Sequence, residues 1–223
     1  MKKTTILASL ALSVATATAG VSYTPAPAPS GKGAAAPPPV NLCAGPISYN
    51  NVEILYANTD FDGSGDSGDG AILRLEHSLF ENFYLTASAQ YSDFDSGNTW
   101  MLSAGFGGYM PLTENIHLAA DAGILYADWE YDYYLPGTTQ GSSATRYTDS
   151  DNDTGWYVRP HLRAKWGCLT VHAGAQYSDI SESEEWSYFI NAYYQIAQAW
   201  DITAGWSDGD DTETITAGVR WRY

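Results

Sequence analysis

The segment Trp156-Tyr157-Val158-Arg159-Pro160-His161-Leu162-Arg163-Ala164-Lys165-Trp166 decides how this chain is read. Trp156, Val158, Pro160, Leu162, Ala164 and Trp166 share one parity, while Tyr157, Arg159, His161, Arg163 and Lys165 share the other. Successive side chains of an extended strand point to opposite faces, so one face here suits hydrocarbon and the other suits water. Helical spacing of the apolar positions is not seen.

Outward from this segment the alternation repeats. Ile116, Leu118, Ala120, Ala122, Ile124 and Tyr126 oppose His117, Ala119, Asp121 and Gly123; Leu169, Val171, Ala173, Ala175 and Tyr177 oppose Thr170, His172, Gly174, Gln176 and Ser178. The pattern predicts strands near 48–58, 71–79, 83–93, 99–110, 116–127, 155–166, 169–179, 186–196, 200–207 and 213–223. Asn50 and Asn51 interrupt the first of them, and eight strands is the fallback count. Most are about 9–12 residues long, the length a tilted strand needs to cross a bilayer, and the number is even. The expected fold is therefore all-β, a transmembrane antiparallel up-and-down β-barrel of about ten strands, since closure removes exposed strand edges. A soluble β-sandwich, whose inner face also alternates, is the competing architecture.

The connections are unequal. Short turns fall at Phe80-Glu81-Asn82, Leu112–Asn115, Gly167-Cys168 and Ala197-Gln198-Ala199, and longer acidic ones at 59–70, 94–98, 128–154, 180–185 and 208–212. Short turns belong to the periplasmic side of such a barrel and long loops to the exterior. The long connections and their borders hold 20 of the 26 acids, so the expected outer rim is strongly anionic.

The 223 residues carry 10 Lys and Arg against 26 Asp and Glu, a net charge of −16, with no basic stretch after residue 3. Nucleic acid is therefore excluded as a partner on charge grounds. Residues 1–19 read as a secretory signal peptide, with Lys2 and Lys3, an apolar run from Ile6 to Ala15 and a small-residue cleavage site at Ala17-Thr18-Ala19. The expected mature chain begins near Gly20, with 8 bases against 26 acids, a side-chain charge of −18. Residues 20–45, with Pro25-Ala26-Pro27-Ala28-Pro29 and Pro37-Pro38-Pro39, read as a semi-extended periplasmic linker, and 46–223 as the barrel. Cys43 follows prolines well past the signal, which does not fit a lipid anchor.

The C-terminal run Thr216-Ala217-Gly218-Val219-Arg220-Trp221-Arg222-Tyr223 has aromatic residues at alternate positions up to the final carboxylate. It resembles the signal by which bacterial outer-membrane barrels are recognised by their assembly machinery. Gly218, Trp221 and Tyr223 carry that resemblance, and Tyr223 departs from the Phe commonest at the end. With the signal segment and the unequal loops, residues 46–223 resemble the small outer-membrane, porin-like barrels. The resemblance implies export through the periplasm, insertion into outer-membrane lipid and the barrel-assembly machinery as a partner. It names no substrate and no cofactor.

On the polar face the expected lumen holds Arg74, Arg159, Arg163, Lys165, Arg220 and Arg222 against Glu53, Glu76, Asp121 and Asp201, with His117, His161 and His172. These charges either pair across a lumen too narrow for flow or line a weakly anion-preferring pore. A ten-stranded wall is only slightly wider than the eight-stranded one that side chains fill. Trp100, Trp156, Trp166, Trp200, Trp206 and Trp221 lie near strand ends on the apolar face and read as interfacial girdles. Cys43 and Cys168 both map to the expected periplasmic end, where a disulfide suits the oxidising compartment.

Asp60, Asp62 and Ser64 before Gly65, and Asp149, Asp151 and Asp153 before Gly155, have the spacing of the start of a calcium loop. Ala71 and Pro160 stand where a bidentate Glu would be needed, so no specific metal site is assigned; divalent cations remain a partner class for the acidic loops. Catalysis is not expected: the acidic rim lacks a histidine to serve as base, since His77, His117 and His172 fall near periplasmic strand ends and His161 mid-strand. The expected function is a structural envelope component or a narrow channel for small solutes. The alternative is an adhesin or ligand-binding barrel acting through its exposed loops. Under that alternative Trp129, Tyr131, Tyr133 and Tyr134 contact a partner; the reading preferred for them is that they extend the strands beyond the membrane as a paired hairpin.

Overall fold

The computed structural model describes Cys43 and residues 45–61, 67–95, 97–135, 145–180, 183–210 and 212–223, with the backbone alone at 132–135, 145–147 and 183. The signal segment 1–19 and most of the linker lie outside the described residues, as do Asp62, Ser64 and Gly65.

Ten strands form one closed sheet: β1 (Asn51–Phe61), β2 (Ser67–Phe80), β3 (Phe83–Phe94), β4 (Gly97–Thr113), β5 (Ile116–Leu135), β6 (Thr145–Trp166), β7 (Leu169–Ile180), β8 (Ser183–Gln195), β9 (Trp200–Asp208) and β10 (Thr212–Arg222). Every neighbour in sequence is a neighbour in space, and the circuit closes where β1 pairs antiparallel with β10, from Asn51 opposite Arg222 to Phe61 opposite Thr212. Gly218 sits at this seam opposite Leu55, and a Cβ there would stand 2.1 Å from the Ile54 carbonyl oxygen. Only glycine permits so close an approach of the two backbones.

Parity decides which side chains are buried. On β1, Asn51, Glu53, Leu55, Ala57 and Thr59 are buried, while Val52, Ile54, Tyr56 and Asn58 point away from the interior. The exterior is apolar along its middle: Ile124 is 69% exposed, Ile215 55%, Ile202 48% and Leu162 40%. An apolar surface continuous around the barrel far exceeds the patches a soluble monomer leaves uncovered.

Aromatic rings bound this band at both ends. Toward the long hairpins the outward rings include Tyr56, Trp100, Tyr126, Trp156, Trp186 and Trp206; toward the short turns they include Phe80, Phe83, Trp166, Tyr194 and Trp200. The polar tips of the first set meet carboxylates: Trp206 Nε1 donates to Glu213 (2.7 Å), Trp156 Nε1 to Asp179 (3.2 Å), Tyr126 to Asp128 (3.3 Å) and Tyr56 to Asp69. An amphipathic ring with its body in hydrocarbon and its tip among polar groups marks headgroup depth. The ten-residue step from Trp156 to Trp166 covers about 33 Å along the strand, or about 25 Å of membrane normal at a tilt near 40°, which matches the apolar band of a membrane barrel.

Leu162 lies near the middle of that band. Leu162→Arg is expected to cost about 2–4 kcal/mol in reversible unfolding from lipid vesicles, because the guanidinium would face hydrocarbon. A variant unfolding at the parent's denaturant concentration would mean that this face does not meet lipid.

One strand boundary corrects the sequence reading, and the paired-hairpin extension expected of the 128–154 connection is borne out. β1 begins at Asn51, not 48: its ladders to β2 and β10 both start there, and the preceding Ile47 and Tyr49 pack against Tyr84. The 128–154 connection is largely strand: β5 and β6 stay paired from Ile116 opposite Ala164 out to Leu135 opposite Thr145. The expected strand ends were set by bilayer thickness, whereas the ladder continues beyond the membrane. Asp149, Asp151 and Asp153 lie on this strand and not on a metal-binding loop. Each carboxylate accepts a hydrogen bond from the next residue's amide, those of Ser150, Asn152 and Thr154 (3.0, 2.9 and 2.6 Å). β6 meets β7 only from Gly155 onward, so these bonds cap amides of a β6 segment that β7 does not reach.

The turns bring the cysteines together. Gly167, at φ 59°, takes the left-handed conformation needed in the two-residue Gly167-Cys168 turn, and Cys168 is bridged to Cys43 across 125 residues.

Candidate functional site in the charged lumen

The inward positions of the strands assemble a charged layer in the half of the lumen nearest the short turns. Register alone makes much of it. Arg74, Glu53, Arg220 and Asp201 stand side by side on β2, β1, β10 and β9, alternating in sign. Arg220 Nη2 lies 2.7 Å from Asp201, Arg222 Nε 3.1 Å from the same carboxylate, and Arg74 Nη1 3.9 Å from Glu53. Asp121 on β5 is likewise opposite Arg159 on β6, with Nη2 at 2.8 Å, and also accepts from Tyr84 (3.2 Å).

One pair is not made by neighbouring strands. Arg163 on β6 donates from Nη1 and Nη2 to the two oxygens of Glu76 on β2, at 2.9 and 2.7 Å, across a wall of three intervening strands. This pair crosses the lumen. The Arg163 side chain is 1% exposed, and its Nε donates to His161 Nε2 at 2.9 Å. His161 Nδ1 faces the Arg159 carbonyl oxygen at 3.1 Å, so the neutral Nδ1–H tautomer satisfies both contacts. Glu76 also accepts from Asn51 (2.9 Å).

Below this pair the chain entering β1 packs inside the wall. Ile47 and Tyr49 are buried with Tyr84, and Tyr109 packs against them. The Tyr49 ring stacks on Tyr109 with centroids 4.1 Å apart, its hydroxyl lies 3.1 Å from His117 Nδ1, and the Arg163 guanidinium sits 4.3 Å above it. Lys165, alone among the expected lumen charges, meets no carboxylate in the described contacts; its Nζ donates to the Gly45 carbonyl at 2.8 Å. The Cys43–Cys168 bridge anchors the same segment to the turn.

The free space narrows accordingly. A cup of about 590 Å³ opens at the hairpin end, a chamber of about 170 Å³ reaches Arg74 and Arg159, and a cavity of about 40 Å³ lies within the charged layer between Glu53, Glu76 and His172. The last has room for a few water molecules.

All thirteen charged and histidine positions placed in the lumen by the sequence, Glu53, Arg74, Glu76, His117, Asp121, Arg159, His161, Arg163, Lys165, His172, Asp201, Arg220 and Arg222, face the interior. Three signals went unread. Tyr84, Tyr109 and Tyr193 have the inward parity, and Tyr193 lies 3.6 Å beneath the Arg220 guanidinium, yet tyrosine on either face looks amphipathic in a sequence. Tyr49 reads as part of the first strand, since it shares the parity of Asn51 and Glu53. The pairing of Arg163 with Glu76 across the lumen has no local signature, because it depends on barrel diameter.

No protein-family model and no curated protein matches the chain. Among solved structures it is similar to the KdgM porin (14% identity, 77% of this chain and 99% of that one, TM-score 0.43). It is also similar to the translocator domain of the autotransporter NalP from Neisseria meningitidis (10% identity, 79% and 89%, TM-score 0.47). A third is the N-terminal β-barrel domain of Pseudomonas aeruginosa OprF (11% identity, 78% and 98%, TM-score 0.39). By its own closed strand circuit and its girdled apolar exterior, the protein is a ten-stranded antiparallel β-barrel of the membrane-spanning kind.

Proposed function

We propose that this protein is a bacterial outer-membrane barrel whose lumen is closed, an envelope component that presents its long acidic hairpin end to the exterior and does not conduct solutes. The Arg163–Glu76 pair across the lumen, seated on Tyr49, is the observation that carries this reading. Water-filled flow would require both charges to part and the Ile47–Tyr49 segment to leave. A buried ion pair deprived of one partner costs several kcal/mol, so spontaneous opening is rare. The apolar belt supports outer-membrane lipid as the surrounding medium. The C-terminal Gly218, Trp221 and Tyr223 support recognition by the assembly machinery, although Gly218 has its own steric reason to be glycine.

Swelling of proteoliposomes in isosmotic small sugars and amino acids tests the reading. Vesicles holding the refolded protein are expected to swell no faster than protein-free ones, alongside a general porin as positive control. Size-dependent swelling would replace it with the narrow-channel alternative. The surface-binding alternative is favoured by a separate observation, the chemistry of the cup at the hairpin end.

A further inference from the structure

The cup of about 590 Å³ is divided by chemistry around its circumference. Its aromatic side chains come from one half of the wall: Phe61 on β1, Phe94 on β3, and Trp129 and Tyr131 on β5. Its carboxylates come from the other half: Asp151 on β6, Glu184 and Glu185 on β8, and Asp210 between β9 and β10. The two arcs meet where Trp129 stands directly opposite Asp151 in the β5–β6 ladder, and the rings of Phe61 and Phe94 pack at 4.8 Å. No Lys, Arg or His is among the described residues lining the cup.

The floor has the opposite charge. The chamber below is reached past Gln90 and Met101, which line both spaces, and it presents Arg74 and Arg159, whose side chains are 31% and 24% exposed. Across the whole charged layer, six cationic side chains face four carboxylates, an excess of two positive charges. A cation is thus drawn to the mouth by the carboxylates and stopped by the guanidinium groups beneath it, while an anion is repelled at the entrance.

We propose that this cup binds an alkylated organic cation, its hydrocarbon against the aromatic arc and its charge toward the carboxylate arc. Ring faces attract weakly hydrated organic cations through their quadrupole, and the opposed carboxylates supply the countercharge. A hard divalent ion fits less well, since it needs about six to eight converging oxygens. Among the described residues no group of three or more His, Cys, Asp or Glu side chains could hold a metal ion. The inference rests on the reading that the hairpin end faces outward above a closed lumen.

Isothermal titration of the refolded full chain with choline, and with its uncharged isostere 3,3-dimethylbutan-1-ol, tests it. Choline is expected to bind saturably and the isostere not. Trp129→Ala and Glu185→Gln, each with an unchanged β-sheet circular dichroism spectrum, are expected to weaken choline by about fivefold or more. Equal heats from the two compounds, no saturable heat from choline, or affinity unmoved by Trp129→Ala would each overturn the proposal. The swelling assay separates the two claims: permeable vesicles with intact choline binding sink the closed lumen alone, and silent vesicles without binding sink the cup alone.

Discussion

Arg163→Ala is expected to lose about 3–5 kcal/mol of unfolding free energy, because it strands the Glu76 carboxylate in the lumen. Arg163 is 1% exposed and Glu76 13%, so neither end of the pair can turn to bulk water while the wall is intact. The same substitution removes the cation above Tyr49 and the donor to His161 Nε2, which places it toward the upper end of that range. Glu76→Ala strands the guanidinium instead and is expected to fall in the same range. The double variant should cost less than the two single losses together, since neither charge is then left alone. Denaturant titrations of all three proteins in lipid vesicles read this directly. Strict additivity would mean that the two residues do not act as a pair.

Removing the Cys43–Cys168 bridge has an effect of similar size by a different route. The bridge closes 125 residues, nearly the whole run of strands from β1 to the β6–β7 turn, and the chain-entropy model assigns such a loop about 5 kcal/mol, of which engineered cases often deliver less. Without it the 43–50 segment is still held by the packing of Ile47 and Tyr49, by the Lys165–Gly45 contact and by the bonds that Asn50 accepts from the Ser78 and Tyr223 amides. Cys43→Ser, or the parent in reductant, is expected to unfold at markedly lower denaturant and to let protease reach the segment near Gly45. Superimposable unfolding curves with and without reductant would show that the bridge adds nothing. The Arg163–Glu76 pair belongs to the wall, not to the segment, and remains in either case.

These expectations rest on features that differ in how far the sequence displayed them. Period-two alternation is a local property, and Trp156–Trp166 alone announced both a lipid face and a charged lumen face. Strand count, order and closure followed, because each short turn forces the next strand to lie beside the last. The cysteines were placed at one end by the same turn count. Bilayer thickness, however, says where a strand may stop being lipid-facing and not where it stops being paired. Residues 128–135 and 145–154 therefore lie beyond the expected membrane spans, and their pairing was legible only as the hairpin extension suggested by Trp129, Tyr131, Tyr133 and Tyr134, which the β5–β6 ladder bears out. The 45–50 segment failed for the opposite reason: Ile47 and Tyr49 continue the parity of β1, so nothing local distinguishes a strand from a chain folding into the opening. Which charges meet across the lumen depends on diameter and shear, properties of the closed sheet as a whole.

Single-channel recording in planar bilayers tests the closed lumen most directly. The refolded protein, with Cys43 and Cys168 bridged, is expected to insert and stay silent under applied voltage, with Arg163 and Glu76 holding the constriction shut. Reproducible unitary steps absent from a heat-denatured control, with a reversal potential that shifts in a salt gradient, would contradict it and make the lumen charges the selectivity elements of a pore.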